Sequence, residues 1–415
     1  MSILTTGGAV EQRMNPRIAL VAVLMWGAAH AQSLISSAPG QPVRLSTSDA
    51  AVLDLQQPRD DLACSVTSSK PELGFDFMFQ AGYEVNIPLK ELAGDKNLLT
   101  IVLRVRSWRH KDQPIFFVQK VNVPAIEEDS GGNAVLHGVF RLGAGKYHLD
   151  WLMRDADERV CARFWDVEAK VTGKDIPLLQ EVAKDLIQPV ESTPFHEEAP
   201  VKRQPIGSPL RVKVVINFAP QRPQAAALKR DDLQGLVGIL RKIDREPRIG
   251  SLSIVACSVP AQRVIYRQQN ASRTDLPALG EVLKSLTFAS VDARQLALKN
   301  GETEFLARLI TEETREDHPD ALIFVGPKFP LAAKVSREMI QHLGNVDYPV
   351  FYLNYSPDPS SYGSRDAMGQ IVKKLNGHEY TISRPRDLFT AWSDVLSRIL
   401  ATKQPAESLS FTSNR

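Results

Sequence analysis

Side chains with metal-binding or catalytic chemistry are missing from the position where this 415-residue chain would first be expected to carry them. The apolar run 212–216 (VKVVI) is typical of a buried strand, and residues 217–221 (NFAPQ) follow it. In an open α/β sheet, ligands bind at the carboxyl ends of the strands, so a working site needs carboxylates or hydroxyls there. The stretch begins with Asn217 and contains Pro220, but it has neither group.

Enzyme motifs are missing from the rest of the sequence as well. The histidines are scattered, with none at metal-ligand spacing, and there is no Gly-x-Ser-x-Gly elbow or phosphate-binding loop. The 50 basic and 48 acidic side chains nearly cancel, and no basic cluster is interleaved with aromatic residues. We therefore predict a protein that is not an enzyme, uses no cofactor and does not bind nucleic acid.

The N-terminus has the pattern of an export signal. A short basic start at 14–17 precedes an apolar core at 18–28 and a small-x-small motif at 29–31. We predict a signal peptide over 1–31, with Met14 as a second candidate for the start, and a secreted or periplasmic mature protein without a membrane span. The apolar run is too short for a stable membrane anchor. The alternative to a signal peptide is a buried N-terminal helix.

Two of the three cysteines are candidates for a disulfide. In an oxidising compartment Cys64 and Cys161 can pair within the first domain, provided that their Cα atoms lie about 4.4–6.8 Å apart. Free thiols at both positions remain the alternative. Cys257 falls in an apolar strand, so we predict a small buried hydrophobic residue there.

Periodicity predicts two domains, a linker and a tail. Residues 42–173 contain short alternating strands typical of a β-sandwich, residues 174–209 form a proline-rich linker, and residues 403–415 form a disordered tail. Residues 210–402 alternate strands and helices, which predicts a largely parallel sheet with helices on both faces and one antiparallel strand. The predicted strands are 212–218, 251–259, 264–267, 321–325, 350–354 and 379–383; the predicted helices are 231–244, 275–286, 303–316, 333–343, 366–375 and 386–400.

Two segments resemble known families. Residues 142–149 (LGAGKYHL) resemble the late-strand segment of immunoglobulin-like domains, where a tyrosine follows a glycine turn. The second half is similar to a von Willebrand factor A-type domain in its element order and in its close, where IVKKLNG (371–377) precedes the last strand and PRDL (385–388) begins the last helix. These resemblances imply a multidomain fold class: an immunoglobulin-like all-β sandwich followed by an A-type α/β domain.

The A-type resemblance also implies a degenerate metal-ion-dependent adhesion site. In that family an Asp-x-Ser-x-Ser motif, a later threonine and an aspartate after the fourth strand hold Mg²⁺. Here the motif positions carry Asn217, Ala219 and Gln221, the threonine is Thr303, and Gly-Pro-Lys stands at 326–328. Mg²⁺ is bound through carboxylates, and Lys328 adds a positive charge, so we predict no metal.

We therefore expect an exported, non-catalytic binding module that contacts a partner protein. Its expected contact region, the strand-end surface, consists of Asn217, Pro220, Thr303, Gly326, Pro327 and Lys328. Two alternatives remain: an adhesion protein that holds a divalent metal through rearranged ligands, and an extracytoplasmic hydrolase. The sequence leaves the partner and the oligomeric state open.

Overall fold

The computed structural model describes residues 33–35, 45–95, 97–190, 194–198, 200–203, 208–220, 228–284, 301–315, 318–328, 346–357 and 366–403. The predicted signal peptide 1–31, the predicted helix 333–343 and residues 404–415 of the predicted tail lie outside the described residues.

The first half of the chain is built mainly from strands. They are β1 (Ser33–Ile35), β2 (Arg59–Asp60), β3 (Ser65–Ser68), β4 (Glu72–Leu73), β5 (Phe79–Pro88), β6 (Asn97–Ser107), β7 (Ile115–Val123), β8 (Asn133–Leu142), β9 (Gly145–Arg154), β10 (Val160–Ala169) and β11 (Ile187–Pro189). Helix α1 (Thr47–Leu55) and two 3-10 segments, η1 (Leu89–Leu92) and η2 (Gly173–Gln180), complete this part.

These strands form two antiparallel sheets that share one apolar core. As far as the chain is described, one sheet has the order β1-β7-β6-β9-β10-β2 and the other β11-β8-β5-β3, with β4 added to β5. Alternation along β9 explains the arrangement, because Tyr147, Leu149 and Trp151 point into the shared core. On the outer face of the larger sheet, Leu53 of α1 packs against Leu152.

The predicted disulfide is confirmed. Cys64 and Cys161 are bonded with their Cα atoms 6.3 Å apart, inside the range that a disulfide requires. Cys64 directly precedes β3 of one sheet and Cys161 lies in β10 of the other, so the bond joins the two sheets. A disulfide of this kind suits an oxidising compartment.

The second half alternates strands and helices around a third sheet. Its strands are β12 (Leu210–Asn217), β13 (Ile249–Ser258), β14 (Arg263–Ala271), β15 (Ala321–Pro327), β16 (Val350–Tyr355) and β17 (His378–Ile382). Its described helices are α2 (Arg230–Asp244), α3 (Leu276–Lys284), α4 (Gly301–Arg315), α5 (Ala367–Lys374) and α6 (Pro385–Lys403).

Within the described residues the third sheet has the order β14-β13-β12-β15-β16-β17. Buried apolar runs in β12, β15 and β16 place these strands in its middle. Residues of α2, α3 and α6 pack with one set of strand side chains, and residues of α4 and α5 pack with another.

The fold class expected from the sequence is wrong and is corrected by the strand pairing. Taken over the described residues, the chain is mostly β-sheet, with large antiparallel sheets and few helices. The third sheet is mixed: β14, the one antiparallel strand that the sequence predicted, returns at one edge through the β13–β14 hairpin, while the other neighbouring strands pair in parallel. The first domain carries strands β1 to β11, more than the seven to nine of the immunoglobulin-like sandwich that we expected.

The segment predicted as a linker contacts both halves. Strand β11 pairs with β8, whereas Glu198 binds Arg241 of α2 at 2.8 Å. At the junction of the halves, the Lys242 ammonium group of α2 pairs with Glu181 at 3.0 Å and lies 5.5 Å from the ring centroids of Phe77 and Phe389. Phe77 belongs to the sandwich and Phe389 to α6, so one lysine joins the two halves.

Candidate functional site

The strand-end surface is largely closed. Asn217 is 7% exposed and Thr303 is 3% exposed. Pro220, Gly326 and Pro327 are also buried, and Lys328 is half-buried. These positions do not present the open contact face that the sequence led us to expect.

The Asn217 side chain forms a hydrogen bond within the protein. Its Oδ1 atom accepts a hydrogen bond of 3.0 Å from the backbone N–H of Val259, and the next residue, Phe218, donates its own N–H to the carbonyl of Cys257 at 2.8 Å. A Cβ atom added at Gly326 would lie 3.0 Å from the Cβ atom of Asn217. The glycine therefore permits a close approach between β12 and β15.

A small cavity of about 20 Å³ lies beside this region. Asn217, Gly326 and Pro327 line it together, whereas Pro220, Thr303 and Lys328 do not. A volume of this size suits about one water molecule. It is too small for a peptide or for the side chain of a partner protein.

One carboxylate does reach this cavity, and it is already bonded. Asp366 caps helix α5 by accepting from the N–H of Gly369 at 2.8 Å, and it accepts from the hydroxyl of Tyr352 at 2.9 Å. Burial, with the Asp366 charge as a second cause, raises the pKa of Tyr352 well above its usual value. No group of three or more His, Cys, Asp or Glu side chains that could hold a metal ion occurs in the part of the chain that the structure describes.

A much larger opening of about 710 Å³ lies at the junction of the two halves. We call it the edge groove: it is bounded by Lys174, Pro177 and Leu178 of η2, by residues 379–381 of β17, and by residues 386–394 in the first half of α6. Its volume is within the range of ligand pockets, which often occur between domains.

The edge groove runs along the border of the third sheet. Side chains alternate between the two faces of a strand, so three consecutive residues line one groove only when it follows the backbone edge. Glu379, Tyr380 and Thr381 are consecutive and all line it. Strand β17 pairs with β16 on its other side and ends the sheet among the described residues.

The hydrogen bonding of β17 shows which backbone groups face the groove. Ser356 donates its N–H to the carbonyl of Ile382 at 2.9 Å, so Ile382 directs its backbone groups towards β16. In a strand these groups alternate in direction, so Thr381 directs its N–H and C=O away from β16. By the same alternation Glu379 also directs its backbone groups away from β16, so two donors and two acceptors lie at the open side of the sheet.

The acidic side chains of the edge groove are held in internal bonds. Asp394 accepts from Tyr380 and from Arg398, and these bonds, with Tyr380 first, lower its pKa. Burial and the bond to Asp394 raise the pKa of Tyr380 to about 12. Asp387 accepts from the backbone N–H groups of Ser383 and Arg384 at 3.1 and 2.9 Å.

The edge groove also contains two basic side chains, Lys174 and Arg386. Lys174 is exposed and has no acidic partner within the described ranges. Arg386 lies 3.5 Å from Asp387, the neighbouring residue, and is 27% exposed. The third acid, Glu379, accepts from the side-chain amide of Asn354 at 3.1 Å. The groove therefore carries charged side chains of both signs.

None of the edge-groove residues belongs to the surface predicted from the sequence. Their types are ordinary for a linker, a short strand and an amphipathic helix, and they lie about 200 residues apart in the chain. Only the strand order places β17 at a sheet edge beside η2. The repeated prolines around Pro177 were the available sign that η2 would form a fixed wall rather than a long helix.

Among the described residues, no helix has the length and apolar composition needed to cross a membrane. Comparison with known proteins leaves the family open. No family model matches the chain, and no curated protein matches it.

Three solved structures illustrate the similarities that are found. The PilB minor pilin from Streptococcus sanguinis is 9% identical, with 74% of this chain and 88% of that chain covered and a TM-score of 0.25. A Bacteroides uniformis beta-glucuronidase is 10% identical, with 75% and 38% covered and a TM-score of 0.18. The structural genomics target SoR45 is 9% identical, with 27% and 90% covered and a TM-score of 0.18. At these scores the similarities carry no argument about fold or function.

Proposed function

We propose that this chain is an exported, non-catalytic protein-binding module that acts in the periplasm or outside the cell. It binds an extended segment of a partner protein in the edge groove, and the segment adds as a strand beside β17. The observation that carries the proposal is the lining of the groove by three consecutive residues of a strand that ends its sheet. The sequence pattern at 14–31 and the disulfide support export.

The physical basis is the unused hydrogen-bonding capacity of a sheet edge. An incoming strand pairs with the outward backbone groups, while pockets beside the edge select its alternate side chains. The backbone N–H and C=O of Thr381 supply one such pair. Leu178 and Phe389 form apolar parts of the wall. A closed strand end, such as the one at Asn217, offers neither backbone groups nor space.

The test uses one substitution that removes an outward backbone donor. Thr381→Pro deletes this N–H, and an edge strand tolerates proline. Thr381→Val is the matched control, because it keeps the N–H and favours a strand. The probe is a fluorescein-labelled nine-residue peptide in which valine alternates with glutamate, and fluorescence anisotropy measures its binding to the full chain.

We expect saturable binding that Thr381→Pro weakens at least tenfold and that Thr381→Val changes less than twofold. A second test changes the peptide instead of the protein: the probe is N-methylated on the backbone either at all its glutamates or at all its valines. Because alternate residues of a paired strand direct their N–H groups towards β17, we expect only one of these two forms to lose binding. Equal binding of Thr381→Pro and wild type, or equal binding of both methylated probes and the unmodified one, would refute strand addition.

A further inference from the structure

A second sheet edge, apart from the edge groove, lies in the first half of the chain. Strand β8 pairs with β5 along its whole length. On its other side it pairs with β11, at residues 140–142. Within the described ranges, no strand pairs with that side of residues 133–139, which we call the β8 edge.

Hydrogen bonds on both sides of β8 show which backbone groups this edge presents. Ser69 donates its N–H to the carbonyl of Gly82 at 2.9 Å, so Gly82 of β5 faces β3 and the next residue, Tyr83, faces β8. Tyr83 lies opposite Gly138, which therefore directs its backbone groups towards β5. Gly143 continues the alternation and donates its N–H at 2.7 Å to the carbonyl of the residue before β11. By this alternation the outward backbone groups of the β8 edge belong to Asn133, Val135, His137 and Val139.

The side chains of the β8 edge are mostly apolar. Val135 is 41% exposed and Val139 is 38% exposed. The one ionisable residue of the stretch is His137, whose Nδ1 atom lies 3.8 Å from a carboxylate oxygen of Glu84 in β5. A sheet edge that does not associate usually carries lysine, proline or a bulge. Residues 133–139 (NAVLHGV) contain neither residue type, and they pair with β5 in an unbroken register.

Strand β14 shows the contrast. It ends the third sheet among the described residues, but it carries Arg263 and Arg267, and its pairing with β13 is irregular. Such charges and irregularities keep an edge from pairing with another strand. The β8 edge is regular and has no lysine or arginine, so it is suited to pairing.

We infer that the β8 edge pairs with the same edge of a second copy of this chain, antiparallel and centred on Leu136. The stretch fits its own copy in length. Strand β11 bounds it at residue 140, and the chain turns away at Gly132, which has a φ of 101° and accepts from the N–H of Leu89. A register centred on Leu136 uses the whole stretch and places Val135 opposite His137. Outward residues then face outward residues and form up to about eight backbone hydrogen bonds.

Charge favours a second copy over a different partner. Identical surfaces bring identical charges together, so self-pairing requires a surface without net charge. The β8 edge meets this requirement, because its one basic residue, His137, has Glu84 beside it.

The position of the second half leaves room for this pairing. The second half contacts the sandwich at Phe75, whose ring centroid lies 5.6 Å from that of Tyr355 in β16. Phe75 precedes β5, which begins beside the Leu142 end of β8. Antiparallel pairing therefore sets the second halves of the two copies at opposite ends of the joined sheet.

Sedimentation velocity of the full chain between about 1 and 100 µM tests the pairing, a range suited to a small interface. We expect a monomer–dimer equilibrium. Val135→Lys places a charge on the edge and weakens the dimer at least tenfold. Leu98→Lys is the matched control: Leu98 is 38% exposed and lies in β6, an inner strand of the larger sheet, so lysine there changes the dissociation constant less than twofold.

The edge groove supplies a second control, which separates this inference from the proposed function. Thr381→Pro leaves the dimer intact, whether or not a peptide binds beside β17. A monomer at every concentration, or a dimer that Leu98→Lys or Thr381→Pro dissociates as strongly as Val135→Lys does, overturns the pairing at the β8 edge.

Cysteine cross-linking tests the register without relying on a weakened dimer. Opposite residues of a hydrogen-bonded pair have Cα atoms about 5.5 Å apart, within the disulfide range, whereas diagonal neighbours lie about 7–8 Å apart. A mixture of Val135→Cys and His137→Cys chains therefore forms covalent dimers under mild oxidation, and neither variant does so alone. The native free thiol, Cys257, is buried. Equal cross-linking of His137→Cys alone and of the mixture, or none in the mixture, overturns the register centred on Leu136.

Discussion

The strand-end surface and the edge groove both border the third sheet and differ in how their polar groups are bonded. At the strand end, the side-chain oxygens of Asn217 and Asp366 accept hydrogen bonds from neighbouring backbone and hydroxyl groups around a cavity of about 20 Å³. In the edge groove, backbone groups of Thr381 and the cation of Lys174 face an opening of about 710 Å³. The comparison shows that residue type and position in the chain identify where a site can form, while packing decides whether it is open.

Breaking the disulfide should give the largest effect. Replacing both Cys64 and Cys161 with alanine frees a loop that spans 97 residues, so the free energy of unfolding should fall by about 2–5 kcal/mol. Urea unfolding followed by circular dichroism measures the change. The same loss should appear in the wild type after reduction, and an unchanged midpoint under reducing conditions would contradict the role of the bond.

A substitution at the closed strand end should change stability and leave binding intact. Asn217→Ala removes the acceptor of the buried Val259 N–H, which should cost about 1–3 kcal/mol in the free energy of unfolding. Thr381→Val in the edge groove is the matched comparison and should cost less than about 0.5 kcal/mol. The two regions would not differ as described if Asn217→Ala weakened peptide binding while leaving unfolding in urea unchanged.

A smaller effect is expected at the junction that holds the groove walls together. Lys242→Met keeps the apolar stem but removes the ammonium group between Phe77, Phe389 and Glu181, which should cost about 1 kcal/mol. Thermal unfolding measures this loss, and peptide anisotropy reports whether the groove keeps its shape. Identical thermal unfolding of the variant and the wild type would show that this lysine does not stabilise the junction.

The smallest effect concerns the thiol of Cys257, which lies in the closed region. Burial raises the pKa of this thiol to about 12, above its usual value, so the reactive thiolate is scarce at pH 8. The native protein should therefore not react with a thiol-specific reagent at pH 8 over an hour, whereas the protein in urea should react fully. Rapid labelling of the native protein would mean that the strand end opens in solution.

Several features of the fold could be predicted from the sequence, because they depend on local patterns. Alternation predicted short strands over residues 42–173, apolar runs placed β12 and β15, and the two cysteines of the first half gave the disulfide. The wrong fold class has a physical cause. Element order suggested an A-type domain, but order along the chain does not determine the strand pairing across the whole molecule, which is largely antiparallel.

The candidate site was less predictable than the fold. The closure of Asn217 and Thr303 depends on tertiary contacts that residue types do not encode. The edge groove depends on β17 ending the sheet and on η2 packing beside it, and both are properties of strand order and domain contact. Lys174 and Arg386 have no sequence motif in common, so only their positions around one opening connect them.

Amide hydrogen exchange on the full chain, with and without the alternating valine–glutamate peptide, compares the two regions in one measurement. We expect the peptide to slow exchange in the segment 378–383 and to leave the segment 217–220 unchanged, because only the first has outward backbone groups to pair. Protection at 217–220 with none at 378–383 would contradict it.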